Sequence, residues 1–120
     1  MSDINSGLMD RIQTISGNAF STLVLDGAGP IAVEFMSYGC GYCRAIEPML
    51  QEVAETLQSR EQIFRINIEA EPELAASFEV QGTPTFIMFL NGREVGRVEG
   101  IHPTLSNVMA VVTAPFEARD

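Results

Sequence analysis

A nearly continuous apolar run, Ile31-Ala32-Val33-Glu34-Phe35-Met36, gives way at Gly39-Cys40-Gly41-Tyr42-Cys43-Arg44 to a helical period, and this junction constrains the chain more than any other stretch. The run has the length of a strand buried on both faces, interrupted by one carboxylate. From Cys43 onward Ile46, Leu50, Val53 and Leu57 recur at helical spacing and form one apolar stripe. Strand, tight turn and helix therefore meet at Cys40. A helix N-terminus offers unpaired backbone N–H groups and a partial positive charge, which favour thiolate over thiol. Cys40 is the candidate nucleophile.

Cys40 and Cys43 are the two cysteines of the sequence. Their spacing puts them one helical turn apart, within reach of a disulfide that opens and closes without moving the chain. Two other readings compete with redox chemistry. A CxxC can be half of a zinc site, but four-coordinate zinc wants two more Cys or His ligands, and the sequence offers His102 alone. A purely structural disulfide closing so short a loop removes little entropy from the unfolded chain.

At 120 residues, 46% of them apolar, the chain suits one domain over 1–120 with one core, loose over 1–9 and 114–120. The net charge is -9 and all seven cations are arginine, which argues against nucleic acid and anionic membrane surfaces, since both need clustered cations. Nothing physical in the sequence accounts for the absence of lysine. Met1-Ser2-Asp3-Ile4-Asn5 does not read as a secretory signal, and no stretch approaches the ~20 apolar residues of a membrane span. The expected compartment is the cytoplasm, where a lone cysteine pair is more often catalytic than structural, or the periplasm if a signal has been removed.

Along the chain, Arg11 to Ile15 alternates like a short strand, and Ser16-Gly17-Asn18 offers a turn and cap. A short helix over Ala19 to Leu25 follows, with Phe20, Leu23 and Val24 directed inward, ended by Asp26-Gly27-Ala28-Gly29-Pro30. The cysteine helix runs from about Cys40 to Ser59 with a kink near Pro48. Ile63 to Ile68 reads as an alternating strand with Arg65 and Asn67 outward or toward a cleft. Glu69-Ala70-Glu71-Pro72-Glu73 opens a short helix that covers Leu74 to Phe78, its acidic residues placed well for the N-terminal dipole. Thr85 to Leu90, the Asn91-Gly92 turn and Glu94 to Glu99 form a hairpin, although a longer loop including Arg93 also fits. A last helix starts at Pro103, with Leu105, Val108, Met109 and Val112 as its stripe. Strands joined through helices are expected to pair in parallel and the hairpin strands antiparallel, giving an α/β fold with a mixed central sheet flanked on both faces by helices.

From about Arg11 to Val112 the sequence resembles the thioredoxin family. The resemblance rests on Phe35, Cys40-Gly41-Tyr42-Cys43, Pro48, Asn67, Gly82-Thr83-Pro84-Thr85, Asn91-Gly92 and Gly100, in matching order and spacing. It implies the thioredoxin fold, with Cys40 as the exposed attacking cysteine and Cys43 as the buried resolving one. Pro84 matches the family's cis-proline, and the backbone of Thr83 would pair with an extended substrate segment. Glu34 occupies the place of a buried carboxylate, usually aspartate, and Arg65 that of its lysine companion. Inside an apolar strand Glu34 should have a raised pKa and could accept the proton of the Cys43 thiol, alternatively forming with Arg65 a buried pair kept for geometry.

Departures mark the substrate-facing surface. Gly39 stands where the family has tryptophan, Met36 replaces a second aromatic, and Gly41-Tyr42 replaces Gly-Pro, removing a fixed dihedral. With Thr83 before the proline, Cys-Gly-Tyr-Cys looks more like DsbC-type disulfide isomerases than an ordinary thioredoxin, although the dimerisation domain of those enzymes is missing. Thr83 could donate a hydrogen bond to a thiolate, and the N–H of residue 42, which proline would lack, could point toward Cys40. The resemblance implies a monomeric protein thiol:disulfide oxidoreductase that reduces protein disulfides. It would need no metal or cofactor besides its own Cys40–Cys43 disulfide and would be recharged by a flavoprotein disulfide reductase. The rivals are a disulfide isomerase or oxidase, and a non-catalytic binding adaptor with a redox switch.

Overall fold

The computed structural model describes residues 12–57, 62–100 and 110. In chain order the elements are β1 (Gln13–Thr14), α1 (Gly17–Phe20, continued by a wider turn over Ser21–Leu25), β2 (Pro30–Met36), α2 (Gly41–Leu57), β3 (Gln62–Asn67), α3 (Pro72–Ser77), β4 (Thr85–Leu90) and β5 (Arg93–Glu99). Five strands form one sheet in the order β1-β3-β2-β4-β5. β1 and β2 pair with β3 in parallel, whereas β2–β4 and β4–β5 are antiparallel. The mixed α/β architecture expected from the sequence is present. Arg11, Ser59 and the helix expected from Pro103 with its stripe lie outside the described residues.

Alternation along β2 divides the interior. Ile31, Val33 and Phe35 pack with Phe20, Val24, Phe64, Ile66, Ile87 and Phe89 under α1 and α3. Ala32 joins Ile46, Leu50, Val53, Ile63 and Phe86 under α2. Glu34, two residues beyond Ala32, shares the α2 face and is fully buried there. β3 is covered on both sides, with Ile63 under α2 and Phe64 and Ile66 on the opposite face, so it is not the half-exposed strand its alternation suggests.

Two other expectations are corrected. Leu23 is 38% exposed, while Phe20 and Val24 are fully buried. The reason is the wider turn, closed by Asp26 N–H donating to the Ser21 carbonyl at 2.9 Å: with partners five positions apart, residues four apart stay aligned and position 23 swings outward. Secondly, β4 is not parallel to the strand it follows through α3. The six residues of α3 span only about 9 Å, against about 20 Å for a six-residue strand, so the helix does not carry the chain back along the sheet. Thr85 lies beside Phe35 at the same end as Asn67, which pairs with Met36, and β4 runs back from there.

Asn91 and Gly92, both with positive φ (53° and 81°), join a directly paired Leu90 and Arg93, so the shorter of the two expected hairpins is the one formed. A side chain at Gly92 would also run into the Leu25 carbonyl. Gly92→Ala is therefore expected to lower stability by more than about 2 kcal/mol in urea unfolding, with the midpoint rather than the slope changing. An unchanged midpoint would show that the hairpin tip relaxes freely. Among the described residues, no helix is long and apolar enough to cross a membrane.

Candidate active site

Cys40 stands immediately before α2 and acts as its cap: its carbonyl accepts the N–H of Arg44 at 3.1 Å, and its sulfur accepts the N–H of Cys43 at 3.0 Å. A sulfur in this role replaces the oxygen of the usual Ser, Thr or Asp cap. The helix N-terminus thus presents a donor to the sulfur most in need of charge stabilisation. The expectation had been the N–H of residue 42; the group that reaches Cys40 belongs to Cys43. The two cysteines are joined as a disulfide, with Cα atoms 5.2 Å apart. Their surroundings differ. Cys40 is half-buried, whereas Cys43 is 2% exposed because it lies on the inner face of α2, one turn before the buried Ile46.

The rim around Cys40 is open. A Cβ added at Gly39, Gly41 or Gly82 would meet no described atom within 4 Å, so packing does not require glycine at any of the three. Tyr38 and Tyr42 are 59% and 66% exposed on this rim. Tyr38 is a residue that sequence reading passed over; its carbonyl accepts a hydrogen bond from Arg44 Nη1 at 2.9 Å. The Thr83–Pro84 peptide bond is cis, Pro84 is buried and Thr83 half-buried. Neither backbone polar group of Thr83 has a hydrogen-bond partner among the described residues, and its hydroxyl makes no bond to either cysteine of the disulfide.

Behind the disulfide a cavity of about 190 Å3 is lined by Met36, Tyr38, Cys43, Arg44, Glu47 and Arg65. Arg65 closes its inner end. Its Nε donates to Glu34 Oε1 at 3.2 Å, and its Nη2 lies 2.6 Å and 2.5 Å from the two oxygens of Glu47. The strand register that pairs Glu34 with Arg65 places both on the α2 face, and Glu47 descends onto them from α2. Glu34 Oε2 is buried with no hydrogen-bond partner among the described residues. Burial is the largest influence on Glu34 and raises its pKa to about 7; Arg65 opposes this and Glu47 adds to it. For Arg65 burial works downward, but Glu47 and Glu34 outweigh it and hold the guanidinium cationic. The pairing of Glu34 with Arg65 was implied by the family resemblance; Glu47 was not expected, although its position four residues after Cys43 puts it on the same helical face.

No cluster of three His, Cys, Asp or Glu side chains able to hold a metal ion occurs among the described residues. The redox group is the Cys40–Cys43 disulfide itself.

The site thus combines a disulfide whose first cysteine caps α2 with a cis-proline immediately before β4, both in one mixed-sheet domain. The chain belongs to the thioredoxin family, whose family model, described as Thioredoxin, matches residues 11–112. It is 38% identical over 84 residues to thioredoxin X, chloroplastic, of Arabidopsis thaliana, covering 70% of this chain and 46% of that protein. It is 33% identical over 102 residues to thioredoxin Y, chloroplastic, of Oryza sativa subsp. japonica, covering 85% and 60%. Against thioredoxin 1 of Nostoc sp. the identity is 28% over 103 residues, covering 84% of this chain and 96% of the relative. The alignments span about half the length of the Arabidopsis relatives.

Proposed function

We propose that the protein is a thiol:disulfide oxidoreductase that reduces disulfides of polypeptide substrates. The observation that carries this reading is the asymmetry of the CxxC pair: a half-buried, helix-capping Cys40 and a buried Cys43 that lines a half-open cavity. In the reduced protein the Cys40 thiolate attacks one sulfur of the substrate disulfide, and the other substrate sulfur leaves as a thiolate. Cys43 then loses its proton and attacks Cys40, forming the Cys40–Cys43 bond and breaking the bond between Cys40 and substrate. The substrate leaves as a dithiol and the enzyme as a disulfide, so two electrons pass from protein to substrate. Glu34, whose pKa near 7 lets it take up a proton at neutral pH, accepts the proton of Cys43, and Arg65 holds its carboxylate in place.

Gly39, Gly41 and Tyr42 form the rim over which the substrate lies, and the unpartnered backbone of Thr83 pairs with an extended segment ahead of Pro84. The protein works as a monomer, in a reducing compartment such as the cytoplasm, with a flavoprotein disulfide reductase restoring the dithiol; a lone cysteine pair fits that setting.

The reduction potential of the Cys40–Cys43 pair, from its equilibrium with glutathione, tests the direction of electron flow. A strongly reducing value supports the reductase, and a value in the isomerase range would replace it with the isomerase reading. Thr83→Ile combined with Tyr42→Pro should shift the pair by tens of millivolts toward the reducing side, since isoleucine removes a hydroxyl able to stabilise the Cys40 thiolate and proline stiffens the turn. An unchanged potential would remove both residues from its control.

A further inference from the structure

The cluster behind the disulfide contains one more acid than the proposed reaction uses. An arginine grips a carboxylate side-on through Nε and Nη2, whose N–H bonds point the same way and match the two carboxylate oxygens. In this site that edge is divided. Nε goes to one oxygen of Glu34, at 3.2 Å, while Nη2 goes to Glu47. The other oxygen of Glu34, Oε2, is left buried and unpartnered among the described residues, although the donor that would complete a side-on pair belongs to the same guanidinium.

We propose that Glu47 is a positioning residue: by holding Arg65 Nη2 it prevents the guanidinium from gripping both oxygens of Glu34, and so keeps Oε2 open for the proton of Cys43. This rests on Glu34 being the proton acceptor. Glu47 is suited to the task because it is fixed to the same helix as Cys43, one turn further on, and lines the same cavity. Its side chain is 34% exposed, whereas that of Glu34 is wholly buried, so Glu47 approaches Arg65 from the solvent side and Glu34 from beneath. The groups facing Glu34 are few. β3 contributes Arg65, α2 contributes Glu47, and β4 contributes the apolar Phe86 paired with Glu34 in register; Cys43 and Arg44 line the cavity that Glu47 and Arg65 also line. Without Glu47, Nη2 loses the acceptor that draws it away from Oε2, and a neighbouring negative charge is lost as well. Both changes favour ionised Glu34.

The test follows the Glu34 carboxyl carbon by NMR in the reduced full chain as a function of pH, for wild type, Glu47→Gln and Glu47→Ala. The same proteins are assayed for the rate at which Cys43 releases substrate from a mixed disulfide between Cys40 and reduced insulin chain. The Glu34 midpoint should fall by about one pH unit or more in Glu47→Ala, and by less in Glu47→Gln, whose amide oxygen still accepts from Nη2. The acid limb of the release rate should move down with it. A midpoint unchanged or raised in Glu47→Ala overturns the proposal, whatever the release rate does. If the midpoint falls while the release profile stays in place, the hold of Glu47 on Arg65 is established and the proton role of Glu34 is what fails. Glu47→Gln keeps the size and hydrogen bonding of the side chain, so it supplies the midpoint even where the alanine variant folds poorly.

Discussion

Replacing Cys43 by serine is expected to turn the protein into a covalent trap, and replacing Cys40 by serine to leave no adduct at all. In both variants multiple turnover falls by about a thousandfold or more, because each removes one of two sulfurs that act in sequence and cannot substitute for one another. The difference lies in the step at which the reaction halts. With Cys43→Ser the more accessible, half-buried sulfur should still attack, its thiolate capped by the N–H of residue 43, which the substitution retains. The mixed disulfide then persists for want of a second thiol. With Cys40→Ser the remaining sulfur is 2% exposed, behind the first turn of α2, and no polypeptide disulfide reaches it in line. Alkylation of the reduced protein at neutral pH should show the same order, Cys40 modified first and Cys43 lagging. The measurement is incubation with insulin followed by non-reducing electrophoresis. Comparable adducts from the two variants, or adducts from Cys40→Ser alone, would reverse or abolish the assignment of attacker and resolver.

Those features of the site that depend on local backbone could be read directly from the chain. An apolar strand ending in a turn and a helix places Cys40 at the cap with no knowledge of the rest of the fold, while the burial of Cys43 was implied by the family resemblance. Glu34 was conspicuous as a carboxylate inside the apolar run Ile31 to Met36, and the resemblance implied Arg65 as its companion, which the parallel register sets beside it. Glu47 was hidden for the opposite reason. Partly exposed on an amphipathic helix with other acids on its polar side, it has the signature of a solvated residue, and only the depth of Arg65 beneath α2 distinguishes it. The direction of β4 was misread because the period of a helix is local while its length relative to the strands decides whether the chain returns along the sheet. Leu23 was misassigned because a wider turn leaves no composition of its own: Phe20 and Val24 fit either geometry, and the closing bond from Asp26 to Ser21 is visible only in space.

Glu34→Gln is expected to stabilise the protein and slow its turnover together, with a pH dependence that separates the two effects. The pKa of Glu34 rises from 4.5 to about 7 in the folded protein, chiefly through burial. The folded state therefore binds the proton more tightly than the unfolded chain. Its stability contribution is fully present below about pH 4.5 and is lost as pH rises through about 7, after which it is constant. A shift of this size corresponds to a loss on the order of 3 kcal/mol between those limits. Glutamine resembles the protonated acid in size and polarity and carries no charge at any pH, and it still offers Arg65 an acceptor. The variant should match wild type near pH 4 to 5 and exceed it by about 3 kcal/mol at pH 8, the gain appearing through the intervening units. Urea unfolding of both oxidised proteins across this window reads the difference directly, since contributions from other titrating groups cancel to the extent that Glu34 leaves them unperturbed. In the reduced protein the first attack by Cys40 on substrate should be nearly unaffected, and release by Cys43 should be slowed by roughly 10²-fold, the ordinary worth of a positioned proton acceptor. A stability difference that does not grow with pH would mean that Glu34 remains ionised under α2. A release rate untouched by the substitution would leave the Glu34–Arg65 pair as structure alone.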